Sequence, residues 1–345
     1  MHTMVAKAET WPQTAAIIGC GTMGLGVAEC FITAGVAVRL VDTSPEATRL
    51  ACERLAQRVR GHVEAGLIDA AVLDRALALQ ADHDLATAVA GADLVFEAVF
   101  EQLDMKRDVL AACAAAAPRE AIIATNTSSL PIDELAGAVA HPERFLGMHW
   151  FNPPEWTPGI EIILGAATDP EVATRVQVFL RRIGKHPIVV GSGPGFVANR
   201  LQCALLREAL ACVEDGLASP EEVDEVVRNC FGFRLPFFGP FQIADMAGLD
   251  VYAKVFETLE RGLGERFRVP PALRTLVEEG KTGVKSGAGF RAYTPEAREQ
   301  LLITRDRYYA ALSGLLAEVM PAPANDTGDA HVQVGSTDDL PEGSE

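Results

Sequence analysis

The chain has 345 residues, length enough for one large or two medium domains with a real core. Its formal charge is −17, and since residues 321–345 hold six acids and no Lys or Arg, the rest of the chain still carries −11. That balance excludes nucleic acid as a partner, which needs a basic footprint to displace counterions, and disfavours an anionic membrane surface; a local site for an anionic ligand stays open.

The 49% hydrophobic content and low aromatic fraction fit an Ala/Leu/Val-rich soluble enzyme. No apolar run reaches the roughly 18 residues a membrane span needs, and the N-terminus lacks a basic region followed by an apolar core, so a cytoplasmic protein is expected. Seven cysteines, Cys20, Cys30, Cys52, Cys113, Cys203, Cys212 and Cys230, include no CxxC pair. They read as reduced, structural thiols, with no metal site expected.

TAAIIG (14–19) reads as a short buried strand, GCGTMGLGVAECFITAG as a Gly-rich turn entering an apolar helix, and VAVRLVD as a second strand ending at Asp42. Gly19, Gly21 and Gly24 form GxGxxG, which allows a tight turn, close backbone approach to a pyrophosphate and close helix–sheet packing. The N–H groups of Thr22, Met23 and Gly24 would face the phosphates. Glycines also serve ordinary turns, but here a strand precedes them and a carboxylate closes the next strand about 30 residues into the unit. Asp42 would accept the adenosine ribose hydroxyls and repel a 2′-phosphate, so NAD is expected over NADP; it also suits capping the helix that follows.

Residues 45–80 read as helical, with Arg49, Arg54, Arg58 and Arg60 forming either a solvated face or a landing strip for a phosphorylated tail. ADLVFEAVFEQLDMK supplies a strand, a loop with Glu101 and a helix with Lys106. AIIATNTSSLPIDEL delivers Asn126, Thr127, Ser128 and Ser129 to the carboxyl end of a strand, where doubly wound sheets bind ligands; Ser129 also fits a helix cap.

In GMHWFNPPEWTPGIEII (147–163), Glu161 interrupts an apolar strand. A buried acid needs a partner, and His149 is a natural one; otherwise Glu161 lies on a wet face and His149 is a satisfied loop residue. The alternating α/β pattern ends near Gly193, and helices follow. The expected fold is therefore α/β, a Rossmann-type doubly wound sheet at 14–193, followed by an all-α C-terminal domain at 194–295, a C-terminal helix at 296–320 and a disordered acidic tail at 321–345.

GxGxxG with Asp42, FEAVFEQLDMK, NTSSLPI, GMHWFNPP with Glu161, GKHP, PGFVANR, GPF and GVKSGAGF occur in the order and spacing of the 3-hydroxyacyl-CoA dehydrogenase family, which the chain resembles over about 14–293. The resemblance implies a homodimer built through the helical domain. It puts the catalytic pair at His149 and Glu161, with Ser128 and Asn199 polarising the substrate. Ala98, Glu101, Lys106 and Asn126 match its nicotinamide- and ribose-side contacts.

GFRLPFFGP and NPPEWTPGIE depart from the fatty-acyl members and resemble a branch acting on small polar hydroxy acids. That branch includes L-gulonate 3-dehydrogenase, carnitine dehydrogenase and a pyridoxine-degradation dehydrogenase. Arg234 would meet a free carboxylate there, or else serve a surface or interface ion pair, and Trp156 would line the substrate site. The favoured substrate is a small free 3-hydroxy acid, with a short-chain L-3-hydroxyacyl-CoA such as 3-hydroxybutyryl-CoA as runner-up; NTSSL and Arg58 point to the latter. GCGTMG also resembles 6-phosphogluconate-type dehydrogenases, in which Lys185 would be the base, and a non-catalytic NAD-binding protein is a remote alternative.

Overall fold

The computed structural model describes residues 12–79 and 84–319; the tail expected at 321–345 lies outside the described residues. The chain divides into two compact units between Glu208 and Ala209.

The first unit carries seven strands: β1 (Thr14–Ile18), β2 (Ala37–Val41), β3 (Leu94–Glu97), β4 (Ile122–Thr125), β5 (Phe145–Trp150), β6 (Gly159–Leu164) and β7 (His186–Val190). They form one sheet in the order β2-β1-β3-β4-β5-β6-β7, parallel throughout except for the antiparallel β5–β6 pair. Its helices are α1 (Thr22–Thr33), α2 (Pro45–Glu64), α3 (Ala71–Leu77), α4 (Leu85–Val89), α5 (Leu103–Ala116), α6 (Ile132–Ala136) and α7 (Pro170–Arg182).

Both faces of the sheet are covered, which is why its central strands read as apolar runs and not as alternating ones. Ala15, Ile17, Leu94, Phe96, Leu146 and Met148 point into a core closed by α1, α2, α3 and α7. Their neighbours Ala16, Ile18, Val95 and Phe145 point the other way, against α4, α5 and α6. The helix expected over 45–80 is two helices, because the chain turns after Glu64 through Gly66 in the left-handed region (φ 71°). Ser44 caps α2 by accepting from the Ala47 N–H, and Asp169 caps α7, whose last turn carries Arg181 and Arg182 against the helix dipole.

Helix α8 (Ala198–Glu214) runs across the division between the units. The second unit is helical: α9 (Pro220–Val226), α10 (Pro240–Ala247), α11 (Leu249–Leu263), α12 (Pro271–Glu278) and α13 (Pro295–Val319). Leu249, Val269 and Leu273 form its small core. The GVKSGAGF segment wraps a fully buried carboxylate, Asp245, which accepts from the N–H groups of Phe290 (2.9 Å) and Arg291 (3.1 Å) and from the Tyr293 hydroxyl (2.8 Å). A Cβ on Gly289 would lie 2.1 Å from Asp245 Oδ1, so the motif keeps its glycine to let the backbone reach that acid. Among the described residues no helix is long and apolar enough to cross a membrane.

Candidate active site

The glycine turn stands at the carboxyl end of β1. Gly19 has φ +93°, and a Cβ there would sit 2.7 Å from the Ala98 carbonyl; a Cβ on Gly24 would sit 2.0 Å from the Gly19 carbonyl. A Cβ on Gly21 would meet no atom within 4 Å, so no clash within the protein requires glycine there. Helix α1 starts at Thr22 without a side-chain cap and without an acid in its first turn. The N–H groups of Thr22, Met23 and Gly24 therefore lack intrahelical acceptors at the positive end of the helix dipole.

Asp42 closes β2 as expected. Its Oδ2 accepts from the Cys20 N–H at 3.0 Å and its Oδ1 from the Thr43 N–H at 2.7 Å, which locks the acid to the glycine turn. Ala98 lies across from it, its N–H donating to the Ile18 carbonyl at 2.7 Å. A turn of this shape, an uncapped helix and a carboxylate ending the second strand fit a dinucleotide.

A buried ion network lies behind that turn. The Lys106 ammonium donates to Glu97 Oε1 at 2.8 Å and to the Val99 carbonyl at 3.1 Å, and stands 3.4 Å from Glu101 Oε2. Lys106 and Glu97 are both buried, so this lysine braces the β3–α5 turn from within. Glu101 Oε1 in turn faces the polar loop after β4. It accepts from the Thr127 hydroxyl (2.6 Å), the Ser128 N–H (2.7 Å), the Ser128 hydroxyl (3.1 Å) and the Ser129 N–H (3.1 Å). Burial pushes the Glu101 carboxyl up, but these hydrogen bonds and the Lys106 charge outweigh it and hold the group below the usual carboxylate range. Asn126 Oδ1 accepts from the Trp150 N–H at 2.9 Å and so ties the end of β4 to β5.

The acid interrupting β6 finds its partner through strand register. In the antiparallel β5–β6 pair His149 stands directly opposite Glu161, and His149 Nδ1 meets Glu161 Oε2 at 2.9 Å. Both side chains are buried. Glu161 Oε1 accepts from the N–H groups of Val197 (3.1 Å) and Ala198 (2.9 Å), so the carboxylate also anchors the start of α8. Asn199, one residue on, donates from Nδ2 to the Ser128 carbonyl at 3.2 Å. His149, Glu161, Ser128 and Asn199, far apart in sequence, thus belong to one connected arrangement. Among the described residues His149 Nε2 makes no hydrogen bond. The rings against the imidazole are Phe151 (centroids 4.4 Å apart) and Phe196 (5.7 Å), neither of which the sequence reading singled out; their flanking positions in FNPP and PGFVANR were the available signal.

Trp156 stands edge-on to His62 of α2, with ring centroids 5.3 Å apart, and keeps an exposed face. Arg58 binds Glu29 at 2.9 Å and also Glu155, and His62 binds the same buried Glu29. The arginine is thus paired with two carboxylates within the protein. Lys185 donates to the carbonyls of Pro154 (2.6 Å), Glu155 (3.1 Å) and Thr157 (3.0 Å), a clamp on the turn rather than a base.

Arg234 belongs to the second unit, in a 3-10 turn (Gly232–Arg234) that follows a wide π-turn (Val227–Phe231). A Cβ on Gly232 would lie 2.4 Å from the Val227 carbonyl, so the wide turn requires glycine.

The profile of the "3-hydroxyacyl-CoA dehydrogenase, NAD binding domain" matches residues 14–193, and that of the "3-hydroxyacyl-CoA dehydrogenase, C-terminal domain" matches residues 195–293. The chain belongs to the 3-hydroxyacyl-CoA dehydrogenase family: it is an NAD-dependent oxidoreductase acting on a CH–OH group. Among its relatives, a 5-formyl-3-hydroxy-2-methylpyridine 4-carboxylate 5-dehydrogenase of Mesorhizobium japonicum is 38% identical over 304 residues, covering 87% of this chain and 97% of that one. A probable 3-hydroxybutyryl-CoA dehydrogenase of Bacillus subtilis is 36% identical over 287 residues (80% and 96% coverage). Among solved structures, the 3-hydroxyacyl-CoA dehydrogenase of Archaeoglobus fulgidus superposes with a TM-score of 0.70 at 31% identity, covering 89% of this chain and 98% of that one. The structure of a 5-formyl-3-hydroxy-2-methylpyridine 4-carboxylic acid 5-dehydrogenase, described as an NAD+-dependent dismutase, does so at 0.65 and 36% identity (88% and 98%).

Proposed function

We propose that the protein oxidises a secondary hydroxyl β to a carboxyl group, with His149 as base and Glu161 as its orienting carboxylate. The 2.9 Å contact between His149 Nδ1 and Glu161 carries this reading. It supports a tautomer with the proton on Nδ1, in which Nε2 takes the substrate's hydroxyl proton and the carboxylate favours the imidazolium that results. Ser128 and Asn199, linked to each other, are suited to orient the hydroxyl and to stabilise charge on the carbonyl oxygen. NAD, held by the glycine turn, the start of α1 and Asp42, supplies the hydride acceptor when bound. Phe151 and Phe196 keep water from the imidazole.

The favoured substrate is a small free 3-hydroxy acid. One feature supports it: Arg58 is paired with Glu29 and Glu155 and so offers less to the nucleotide end of a thioester. The second reading, a short-chain L-3-hydroxyacyl-CoA, has the likeness to the Bacillus subtilis relative on its side. A homodimer is supported by α8, a 17-residue helix with no buried residue that exposes Leu201, Leu205, Leu206 and Leu210.

The test follows NADH absorbance with 3-hydroxybutyrate, gulonate and carnitine and with 3-hydroxybutyryl-CoA, in the wild type and in His149→Gln. The wild type should use a free acid best, and His149→Gln should abolish turnover while NAD affinity holds. Turnover of His149→Gln near wild type would sink the base assignment, and efficient use of the thioester alone would sink the free acid.

A further inference from the structure

The arginines of α2 meet different fates. Arg49 pairs with Glu46 and Glu53 on its own helix, and Arg58 pairs with Glu29 and Glu155. Arg54 is exposed and makes no ion pair among the described residues. Its Nη2 donates to the Cys20 carbonyl at 3.4 Å, which brings the guanidinium to the middle of the glycine turn. That single long contact leaves most of the fork of N–H donors without a protein partner among the described residues.

Cys20 shows which end of the turn the cation attends. Its N–H donates at 3.0 Å to Asp42, the acid suited to the adenosine ribose. Its carbonyl, the end that continues into Gly21 and α1, receives Arg54. Helix α1 then begins without a side-chain cap and without an acid in its first turn. Its dipole offers a pyrophosphate the equivalent of about half a positive charge, less than that anion carries. The chain as a whole works against the approach of an anion, since its net charge is −17. A guanidinium at this turn supplies the missing charge, and its fork fits phosphate oxygens two at a time.

We propose that Arg54 is a cofactor-binding residue that pairs with the pyrophosphate of NAD at the glycine turn. The GxGxxG turn and Asp42 contain no cation of their own, and α2 provides one from 34 residues beyond Cys20. Arg54 acts on binding and takes no part in hydride transfer.

The test measures the dissociation constant of NADH by its fluorescence, and those of ADP-ribose and adenosine by competition with it. The proteins are the full-length wild type, Arg54→Gln and Arg54→Lys, each checked by its melting temperature. Glutamine can still donate to the Cys20 carbonyl but has no charge; lysine keeps the charge without the fork. Arg54→Gln should weaken NADH and ADP-ribose about ten-fold and leave adenosine within about two-fold of the wild type. Arg54→Lys should recover part of that loss, and the difference between wild type and Arg54→Gln should shrink as salt is raised. Arg54→Ala takes the place of the glutamine variant if the latter does not fold. Unchanged affinity of Arg54→Gln for ADP-ribose would overturn the proposal. Equal losses on ADP-ribose and adenosine would overturn it too, because Arg54 would then only brace the turn through Cys20. A loss confined to KM for 3-hydroxybutyryl-CoA, with NADH and ADP-ribose binding unmoved, would assign the cation to the substrate instead.

Discussion

Glu161 serves two partners with its two oxygens: Oε2 meets His149 Nδ1 at 2.9 Å, and Oε1 receives the Val197 and Ala198 N–H groups at 3.1 and 2.9 Å. One carboxylate therefore orients the His149 ring and fixes the start of the helix that carries Asn199. Glu161→Gln keeps the shape but presents an amide to the imidazole, which disturbs the tautomer. The expected result is a fall in kcat of about a hundred-fold or more with little change in the dissociation constant of NAD, read by stopped-flow NADH formation and by NAD titration. Unchanged kcat would mean that Glu161 is only an anchor for α8.

Lys106 and Glu97 are a buried pair, and Lys106 also stands near Glu101. Lys106→Met would leave a carboxylate buried without its counter-ion, at a cost of about 3–5 kcal/mol in urea unfolding. The double variant Lys106→Met/Glu97→Gln should recover a good part of that loss. If the single variant is as stable as the wild type and merely binds NAD poorly, the lysine acts on the cofactor and not as an internal brace.

The hydrogen bonds on Glu101 contribute to the acid limb of stability. Its folded pKa lies below the ordinary value of 4.5, so its contribution is fully present above 4.5 and is lost as pH falls through the lower folded value. The stability difference between the wild type and Glu101→Gln should be flat from neutrality to about pH 5 and then shrink toward pH 3. Urea midpoints measured across that range provide the check, and a difference that grows with acid would contradict the sign. At neutral pH the variant should also lose activity, because Ser128 loses its anchor.

Burial pushes the thiols of Cys20, Cys30 and Cys113 up to about 12. At pH 8 only about one in ten thousand of such thiols is ionised, so a thiol reagent such as DTNB should leave all three unmodified in the native protein. Mass mapping of the labelled sites should find them modified only after denaturation. Fast native labelling of Cys20 would mean that the glycine turn opens far more often than its packing implies.

Much of the fold could be read from local pattern. The glycine turn, the carboxylate ending β2 and the strand delivering residues 126–129 are short-range features, set by backbone sterics and apolar runs, and a sequence displays those directly. The helix break near Gly66 was less visible, since a single glycine after a helical stretch does not announce a turn.

The sequence by itself determined the chemistry on offer: a dinucleotide turn, an acid out of place in an apolar strand, a histidine near it and an arginine in an unusual loop. Tertiary structure alone decided how these are spent. Antiparallel register puts Glu161 opposite His149, and the chain's return after β7 brings the Val197 and Ala198 N–H groups to the carboxylate's other oxygen. The turn between the two strands sends Trp156 to His62, and side-chain pairing uses up Arg58 and Lys185. The reason is physical: a strand's apolar pattern says which face is buried but not which strand lies beside it, and the fate of a charged group depends on partners that only strand order and packing bring within about 3 Å.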